Sequence, residues 1–296
     1  MMNKEITFII PCYNEHEDVL TETVQGLKVS LQNTAIDRYE IIIVNDGSDE
    51  FNYVPEPEEF IKVLHHPVNR GYGASLKTGI KQAEYEWIAI TDADGTYPNE
   101  SFDELIQFIP KYDMVIGARQ WKDISLIRRF PKRILTFFAG FLSGVPIPDL
   151  NSGMRVFRKD LAKKFWHLYP DGFSFTSTIT MASITNDYKL KFHDIGYSKR
   201  IGQSTIHPVK DTIRFFSLVT RLALYFNPKK FFIPLSLVLA ILALLRGGRD
   251  YVVEGSLGGV TLLLFFMAFQ VFFFGLLAEI INKTRLFLSA QKNSIG

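Results

Sequence analysis

The chain has 296 residues, enough for one large domain or two smaller ones, and its net charge is only +2. Hydrophobic residues make up 47% and aromatic residues 14%, which is rich for a purely soluble protein. The single cysteine, Cys12, excludes an internal disulfide and fits a reducing compartment. We expect no nucleic-acid partner.

The first two hundred residues alternate short apolar, β-branched runs with amphipathic stretches. The runs are almost continuously apolar, which is typical of a parallel sheet covered on both faces. Strand–helix alternation therefore predicts an α/β domain with an open, mostly parallel sheet. The predicted strands are 6–11, 39–48, 61–66, 86–94 and 113–119, and helical spacing covers 15–32 and 73–85.

Polar residues follow three of these strands, at Tyr13–Glu15, Asp46–Asp49 and Asp92–Asp94. In open α/β sheets ligands bind beyond the carboxyl ends of the strands, so we expect the three clusters to converge. Asp92 and Asp94 are alternate residues and point to the same side in extended backbone. Their repulsion calls for a bound cation or a raised pKa, although a solvated turn also fits the pattern.

The segment "GYGASLKT" (71–78) resembles a phosphate-binding loop but does not match one. It is one residue short of the P-loop spacing, and Leu76 stands where a glycine is needed. A leucine side chain blocks the close approach of phosphate to backbone amides. We interpret Gly71 and Gly73 as a turn that opens a helix.

The last third of the chain predicts membrane attachment. Two uncharged segments, at 231–245 and 255–278, are about 22 and about 36 Å long as helices, against a hydrocarbon core of roughly 30 Å. The predicted organisation is a catalytic domain over 1–208, an amphipathic helix over 209–228 and a transmembrane hairpin over 229–296, with helices at about 231–246 and 256–279. The linker "RGGRDYVVE" joins them. A buried core helix is the alternative for the first segment.

Basic residues mark the face of the membrane on which the catalytic domain is expected. Lys229, Lys230, Lys283 and Arg285 flank the two ends of the hairpin and indicate a cytoplasmic base by the positive-inside rule. Upstream, Lys210, Arg214, Ser217 and Arg221 form one polar stripe of the predicted helix, as in helices that lie in the interfacial plane. Packing of this helix on the catalytic domain is the alternative.

Five motifs in order carry a family resemblance over roughly residues 5–205. They are "PCYNE", "VNDGSDE", "TDADGTYP", "DLNSGMRVFRKD" (149–160) and "KRIGQST" (199–205). Together they resemble a family 2 glycosyltransferase with the GT-A fold, of the dolichyl- or polyprenyl-phosphate type with a two-helix membrane anchor. The Q-x-x-R-W signature of processive synthases is not found in the sequence, which disfavours polymerisation.

The resemblance implies roles for the residues after the first, second and fourth strands. Asp92 and Asp94, with Thr96 as a further candidate ligand, match the positions that hold Mg²⁺ or Mn²⁺ on the donor diphosphate, and oxygen ligands suit both ions. The residues that match nucleotide-sugar contacts are Pro11, Tyr13, Glu15, Asn45, Asp46, Asp92, Ala93, Asp94, Asn151 and Ser152. By their chemistry, Tyr13 offers a ring for stacking and Glu15 a hydrogen-bond acceptor.

Arginines form the predicted acceptor side, because guanidinium groups bind phosphate bidentately. The candidate residues are Arg119, Arg128, Arg129, Arg133, Arg200 and Ser204, with Arg119 and Arg200 also expected to act in catalysis beside the two aspartates. A solvated or headgroup-binding basic face is the alternative for Arg128–Arg133.

The expected function is inverting transfer of a single sugar from a nucleotide-diphosphate sugar to a polyprenyl phosphate at the cytoplasmic membrane face. Two alternatives stay open at this point: transfer to another membrane acceptor such as a glycolipid, and a catalytically silent membrane assembly protein. A homo-oligomer is compatible with either. Paired acids without a metal cost stability, which argues against the silent protein.

Overall fold

The computed structural model describes residues 4–32, 34, 36–55, 60–120, 126–172, 174–198, 217–218 and 220–294, without the side chains of 126–132 and 285–294. The chain divides into two compact units. The first comprises residues 1–137 and 147–214, and the second comprises 138–146 and 215–296.

The first unit is built on a seven-stranded sheet with the order β3-β2-β1-β4-β6-β5-β7. The strands are β1 (Glu5–Cys12), β2 (Arg38–Asn45), β3 (Ile61–His65), β4 (Trp87–Ile90), β5 (Met114–Arg119), β6 (Arg155–Arg158) and β7 (Leu190–Ile195). All neighbours pair in parallel except β6, which runs antiparallel to β4 and β5. The predicted mostly parallel α/β sheet is confirmed.

Helices connect and cover these strands. They are α1 (Glu17–Gln32), α2 (Tyr72–Gln82), α3 (Phe102–Ile106), α4 (Leu126–Ser143), α5 (Lys159–Lys164) and α6 (Phe175–Thr185). The core lies between the sheet and its helices and includes the fully buried Ile6, Phe8, Ile41 and Phe102. The apolar strands are thus covered as their composition predicts.

The predicted strands correspond to β1–β5, with ends that differ by a few residues. The strand expected over 86–94 ends at Ile90, so Asp92 and Asp94 lie in the loop that follows it. β6, β7 and the helices α3, α4, α5 and α6 were not predicted from the sequence. α2 begins directly after Gly71, which confirms the turn expected at the start of "GYGASLKT".

The second unit is dominated by two long helices, α7 (Pro228–Glu254) and α8 (Gly259–Ser294). Both contain a stretch that is long and apolar enough to cross a membrane, by length and composition, at Pro228–Glu254 and Gly259–Thr284. The first helix is longer than expected, because the predicted linker 246–254 continues it and the turn falls at 255–258. Of the expected amphipathic helix, residues 217–218 and 220–226 are described and helical, and 209–216 lie outside the described residues.

Two charged residues of the segment 246–254, Arg246 and Asp250, form an ion pair inside the helix. Asp250 is almost fully buried and accepts hydrogen bonds from Arg246 Nε (3.0 Å), Gly258 N (3.3 Å) and Thr261 Oγ1 (2.6 Å). The carboxylate therefore joins the end of α7 to the start of α8. A buried charge with such partners does not require a solvated loop.

The end of α4 belongs to the second unit. Asn227 Nδ2 donates to the Leu142 carbonyl (3.2 Å), and Lys230 Nζ donates to the Phe141 carbonyl (3.2 Å). The rings of Phe138 and Phe231 meet edge to face at 5.9 Å. These contacts satisfy carbonyls that a helix end leaves without intrahelical partners.

Candidate active site

The three predicted polar clusters lie at one edge of the sheet. Cys12 is in register with Asn45, and Asp46 N donates to the Cys12 carbonyl at 2.8 Å. Because β1, β2 and β4 are parallel, their carboxyl ends share this edge. β6 runs the other way, so the loop before it, which contains "DLNSG", reaches the same edge.

Asp92 is held in a tight polar environment after β4. Its Oδ1 accepts a hydrogen bond from the Tyr72 hydroxyl at 2.9 Å. On Gly153, a Cβ atom would lie 2.5 Å from Asp92 Oδ2, so only glycine lets that loop pack against the carboxylate. Burial, and then the charge of Asp94, raises the pKa of Asp92 to about 6.

Asp94 is oriented by its own loop. Thr96 donates to Asp94 Oδ1 from its backbone N (3.2 Å) and from its hydroxyl (2.6 Å), and Thr96 is buried. The hydroxyl of Thr96 is therefore directed at Asp94. Coordination of a metal by Thr96 itself stays a prediction.

The two aspartates are suited to a divalent cation. Among the described residues, no group of three or more His, Cys, Asp or Glu side chains is placed to hold a metal. In nucleotide enzymes Mg²⁺ is usually bound by one or two carboxylates, and phosphate oxygens and water fill its remaining coordination positions. Burial, and then repulsion by Asp94, raises the pKa of Asp92, and a bound cation would stabilise both charged carboxylates, so these residues fit the metal that the sequence predicts.

Arg119 forms an ion pair with Asp149. Its Nε donates to Asp149 Oδ2 at 2.7 Å and its Nη2 donates to Oδ1 at 3.0 Å, while its guanidinium lies 5.2 Å from the ring of Tyr197. Asp149 also accepts the backbone N–H of Asn151. This arrangement shows Arg119 ordering the "DLNSG" loop, and its contact with an acceptor phosphate stays a prediction.

The "DLNSG" loop presents polar atoms that lack partners. Ser152 Oγ and Asn151 Oδ1 are buried, and neither has a hydrogen-bond partner within the described part of the chain. A buried polar atom without a partner costs free energy, which is why native proteins keep few of them. Both residues were predicted to contact the sugar nucleotide, and a ligand with hydroxyl groups would satisfy them.

The loops after β1 and β2 are tied together by Asn14, which sequence reasoning missed. Its backbone N donates to Ser48 Oγ (2.9 Å), its Nδ2 donates to Asp49 Oδ2 (3.1 Å), and its Oδ1 accepts from Asp49 N (3.0 Å). Asn14 has a left-handed backbone, with φ of 52°. These bonds place the predicted base-side residues Tyr13 and Glu15 beside the second loop.

A cavity of about 320 Å³ opens between these loops. Its lining residues are Asn14, Glu15, His16, Glu17, Leu20, Asp49, Glu50, Phe51, Asn52 and Tyr53. Tyr13 is 44% exposed, which leaves its ring accessible for stacking. Pro11 and Ala93 are buried, so any contact that they make with a nucleotide would be through the backbone.

The side chains of Asn45 and Asp46 make hydrogen bonds to other residues of the protein. Asn45 Oδ1 accepts from Ser48 N at 3.0 Å, and its Nδ2 lies 3.2 Å from His65 Nδ1. Asp46 accepts from Arg70 N (3.0 Å) and Gly71 N (2.7 Å), and its Oδ1 lies 2.6 Å from Nδ1 of His66. Both residues order the surrounding loops, and their contact with base or ribose stays a prediction.

The predicted acceptor arginines are only partly described. Arg128, Arg129 and Arg133 all lie in α4, and the side chain of Arg133 is exposed. Arg200 and Ser204 lie outside the described residues, as does the whole "KRIGQST" motif.

Residues 7–166 match the family model described as glycosyl transferase family 2, and residues 227–284 match the GtrB C-terminal hairpin. The chain belongs to glycosyl transferase family 2. It is 27% identical over 285 residues to a low-salt glycan biosynthesis hexosyltransferase of Haloferax volcanii, covering 91% of this chain and 67% of that one. It is 31% identical over 187 residues to a dolichyl-phosphate beta-glucosyltransferase of Trichomonas vaginalis, covering 56% of this chain and 54% of that one.

A solved glycosyltransferase has the same GT-A fold. Glucosyl-3-phosphoglycerate synthase from Mycobacterium tuberculosis, determined with Mn²⁺ and uridine-diphosphate-glucose, superposes with a TM-score of 0.54 at 13% identity. The superposition covers 74% of this chain and 78% of that one. The predicted fold class is therefore confirmed, and the C-terminal hairpin gives this family 2 member a membrane anchor of the GtrB type.

Arg155 is a further feature of this family 2 site that the sequence did not single out. It is fully buried and donates to the Ser152 carbonyl, the Thr176 carbonyl (3.0 Å) and Thr180 Oγ1 (2.9 Å). Burial lowers its pKa to about 10. Arg155 thus anchors the loop that contains Ser152 and Gly153 to α6.

Proposed function

We propose that this protein is an inverting glycosyltransferase that moves one sugar from a nucleotide-diphosphate sugar to a polyprenyl phosphate. The observation that carries the proposal is the Asp92–Asp94 pair at the carboxyl edge of the sheet, in a chain that ends in an apolar hairpin. The Trichomonas relative is named for transfer to dolichyl phosphate and the Haloferax relative as a hexosyltransferase, which supports both the reaction and the acceptor.

Asp92 and Asp94 would hold Mg²⁺ or Mn²⁺. Such an ion supplies a Lewis acid that neutralises charge on a leaving diphosphate. Tyr72 and Thr96 orient the two carboxylates by the hydrogen bonds described above. Asn151 and Ser152 would bind hydroxyl groups of the sugar, and the cavity beside Tyr13 and Glu15 would receive the nucleoside.

The acceptor needs no strong general base. A phosphomonoester has its second pKa near about 6, so a polyprenyl phosphate is largely anionic at neutral pH. Its oxygen attacks the anomeric carbon, the bond from that carbon to the diphosphate oxygen breaks, and a nucleoside diphosphate leaves with the electron pair. Catalysis then depends on positioning and electrostatics.

The catalytic domain is proposed to face the cytoplasm. Lys229 and Lys283 lie at the two ends of the hairpin and both approach Glu279 Oε1, at 3.5 and 3.3 Å. An excess of lysine and arginine at this base supports a cytoplasmic position for it.

A transfer assay tests the proposal. Purified protein is incubated with radiolabelled UDP- and GDP-sugars, and label is measured in the lipid extract. We expect transfer only when polyprenyl phosphate is present, loss of transfer with EDTA, and recovery with Mn²⁺ or Mg²⁺. Equal transfer to diacylglycerol without polyprenyl phosphate would assign another acceptor, and no transfer with any donor would indicate a silent protein.

Arg133 tests the acceptor side. Loss of a charge-assisted contact with phosphate, worth roughly 1.5–3 kcal/mol, should raise the apparent acceptor constant of Arg133→Ala about tenfold to a hundredfold. Donor affinity should not change. Arg38→Ala is the matched control, because Arg38 is also exposed and its Nε lies 3.9 Å from Glu5 Oε1, too far for a hydrogen bond. If Arg133→Ala weakens the donor instead, the arginines of α4 bind the diphosphate.

A further inference from the structure

Within the segment Gly71–Tyr72–Gly73, the backbone amides of both glycines are already bonded to other parts of the first unit, so these two amides are not available to a phosphate. Gly71 N donates to Asp46 Oδ2 at 2.7 Å, and Gly73 N donates to the Gly172 carbonyl at 3.2 Å. The next amide, Ala74 N, donates to the Asp171 carbonyl at 2.7 Å. The start of α2 is therefore fastened to two other loops of the first unit.

The two glycines are required by this packing. Gly71 has φ of 99°, and a Cβ on it would lie 2.8 Å from the Asp171 carbonyl oxygen. A Cβ on Gly73 would collide with the carbonyl of Pro170. The backbone is thus fixed on both sides of Tyr72, the one residue of the turn with a side chain.

The Tyr72 side chain reaches across to the candidate metal site. Its hydroxyl donates to Asp92 Oδ1 at 2.9 Å, across twenty residues of sequence. Gly153 packs against the same carboxylate from the neighbouring loop, where even a methyl group would meet both of its oxygens. The Asp92 carboxylate therefore lies between the Tyr72 hydroxyl and the backbone of Gly153.

We propose that Tyr72 is a positioning residue that fixes the orientation of the Asp92 carboxylate for binding the metal–diphosphate group, an inference that rests on the proposed function. The Gly71–Tyr72–Gly73 turn positions the Tyr72 hydroxyl, and Asp46 stabilises that turn by accepting a hydrogen bond from Gly71 N. A carboxylate that is already oriented loses less freedom when it binds a cation. Partners that orient metal ligands in this way typically account for tenfold to hundredfold in metal affinity.

The same hydrogen bonds give Asp46 a second role, which is to hold the turn that carries Tyr72. Its carboxylate has been expected to contact base or ribose, yet its described partners are His66 and the amides of Arg70 and Gly71. The loop after β2 and the loop after β4 are thereby connected through Tyr72. Nucleotide binding and metal binding are expected to depend on one another through this connection.

Tyr72→Phe tests the proposal, because it removes only the hydroxyl. The dissociation constant of Mn²⁺ is measured from the free-ion electron paramagnetic resonance signal, with UDP and separately with GDP present. We expect a tenfold to hundredfold weaker binding of Mn²⁺ and a melting temperature close to that of the wild type. Mn²⁺ binding equal to the wild type would overturn the proposal.

Tyr169→Phe is the matched control. Tyr169 is also buried, and its hydroxyl has no hydrogen-bond partner within the described residues. The control should bind Mn²⁺ as the wild type does. If both substitutions weaken Mn²⁺ binding equally, the effect is a general consequence of losing a tyrosine hydroxyl, and the proposal fails.

A double-mutant cycle separates positioning from a structural role. If Tyr72 acts through Asp92, Tyr72→Phe should have no further effect on Mn²⁺ binding in an Asp92→Asn background. Additive losses would overturn the proposal. Should Tyr72→Phe fail to fold, Gly153→Ala disturbs the same carboxylate from its other side, and unchanged Mn²⁺ binding in that variant would overturn it equally.

The proposed function fails separately from this inference. If the wild type itself binds no Mn²⁺ in the presence of either nucleotide, the metal-dependent reaction is wrong. If the wild type binds Mn²⁺ and Tyr72→Phe matches it, only the role of Tyr72 is wrong.

Discussion

Two carboxylates that lie near opposite ends of the parallel strands have opposite environments. Glu40, near the start of β2, is 3% exposed and accepts hydrogen bonds from Glu84 N (2.6 Å), Thr7 Oγ1 (2.7 Å) and Lys62 Nζ (2.8 Å). Burial alone would raise its pKa, but these hydrogen bonds and the charge of Lys62 outweigh burial and lower it. Within the described part of the chain, Asp92 accepts one hydrogen bond, from Tyr72, and has a second carboxylate beside it; burial, and then the charge of Asp94, raises its pKa to about 6.

The difference separates a carboxylate that stabilises the fold from one that we propose binds a ligand. Glu40 finds its donors and its counter-charge within the first unit. Asp92 is placed where like charge opposes it, at the edge where ligands of open α/β sheets bind. Perturbed acids of this kind concentrate at functional sites, and well-paired ones do not identify a site.

Asp92→Asn should give the largest effect. Loss of a metal-binding carboxylate removes several kcal/mol of charge stabilisation, so we expect transfer to fall about a thousandfold. The melting temperature should hold or rise, because the repulsion with Asp94 disappears. Sugar transfer and thermal unfolding measured on the same preparation check both expectations. A large drop in melting temperature with activity retained would assign Asp92 the structural role that we give to Glu40.

Glu40→Gln should show the reverse pattern. Hydrogen bonds to a charged group are worth more than neutral ones, and we expect the free energy of unfolding to fall by about 2 kcal/mol. Mn²⁺ binding by the folded protein should be unchanged. Glu22→Gln, at an exposed position of α1, is the control and should leave both quantities unaltered. Weaker Mn²⁺ binding in Glu40→Gln would show that the two ends of the strands are coupled.

The pH dependence of stability should also distinguish the two acids. Because the pKa of Asp92 in the folded protein lies above its usual value, the folded protein binds the proton at a higher pH than the unfolded chain does. Without metal, lowering the pH from about 7 to about 5 should therefore stabilise the wild type relative to Asp92→Asn by about 1 kcal/mol.

The contribution of Glu40 to the pH dependence of stability has the opposite sign. Its lowered pKa contributes stability that is present above the unfolded-state value and is lost as the pH falls through the folded-state value. Thermal melts of the wild type, Asp92→Asn and Glu40→Gln in EDTA across this range provide the measurement. Parallel pH profiles for the wild type and Asp92→Asn would contradict the raised pKa.

Ser152→Ala should have the smallest effect. Its hydroxyl oxygen is buried and has no hydrogen-bond partner among the described residues, so its removal should leave the free energy of unfolding unchanged or raise it by less than about 1 kcal/mol. If the hydroxyl meets the sugar, donor affinity should fall about fivefold, as measured by the donor KM. Ser183→Ala is a useful contrast, because that buried hydroxyl already donates to the Ile179 carbonyl at 2.7 Å. Unchanged donor KM in Ser152→Ala would remove Ser152 from the sugar site.

The sequence predicted those features that depend on local pattern. Apolar runs of β-branched residues located β1–β5, and the aspartates at 92 and 94 were visible one residue apart. α6 was missed because its Ser and Thr residues are buried on every side, which removes the helical period of hydrophobicity. β6 has only four residues, and β7 is mostly half-buried, so neither presented a strong signal.

The missed site residues depend on partners far away in sequence. Asn14 bonds to residues 34 and 35 positions away, Tyr72 to one 20 away, and Arg155 to ones up to 25 away. No local spacing encodes such pairs. The extension of α7 was missed for the same reason, since Asp250 is satisfied by Thr261 across the turn.

The division of α4 between the two units has a practical consequence for protein engineering. We expect that cutting the chain before the hairpin does not give a soluble catalytic domain, because residues 138–146 belong with the hairpin although they precede it by about eighty positions. Removing the hairpin would leave Phe138, Leu142 and their neighbours without the surface that covers them, and such a patch promotes aggregation. Exchange of membrane anchors between related enzymes would likewise need two pieces of sequence rather than one.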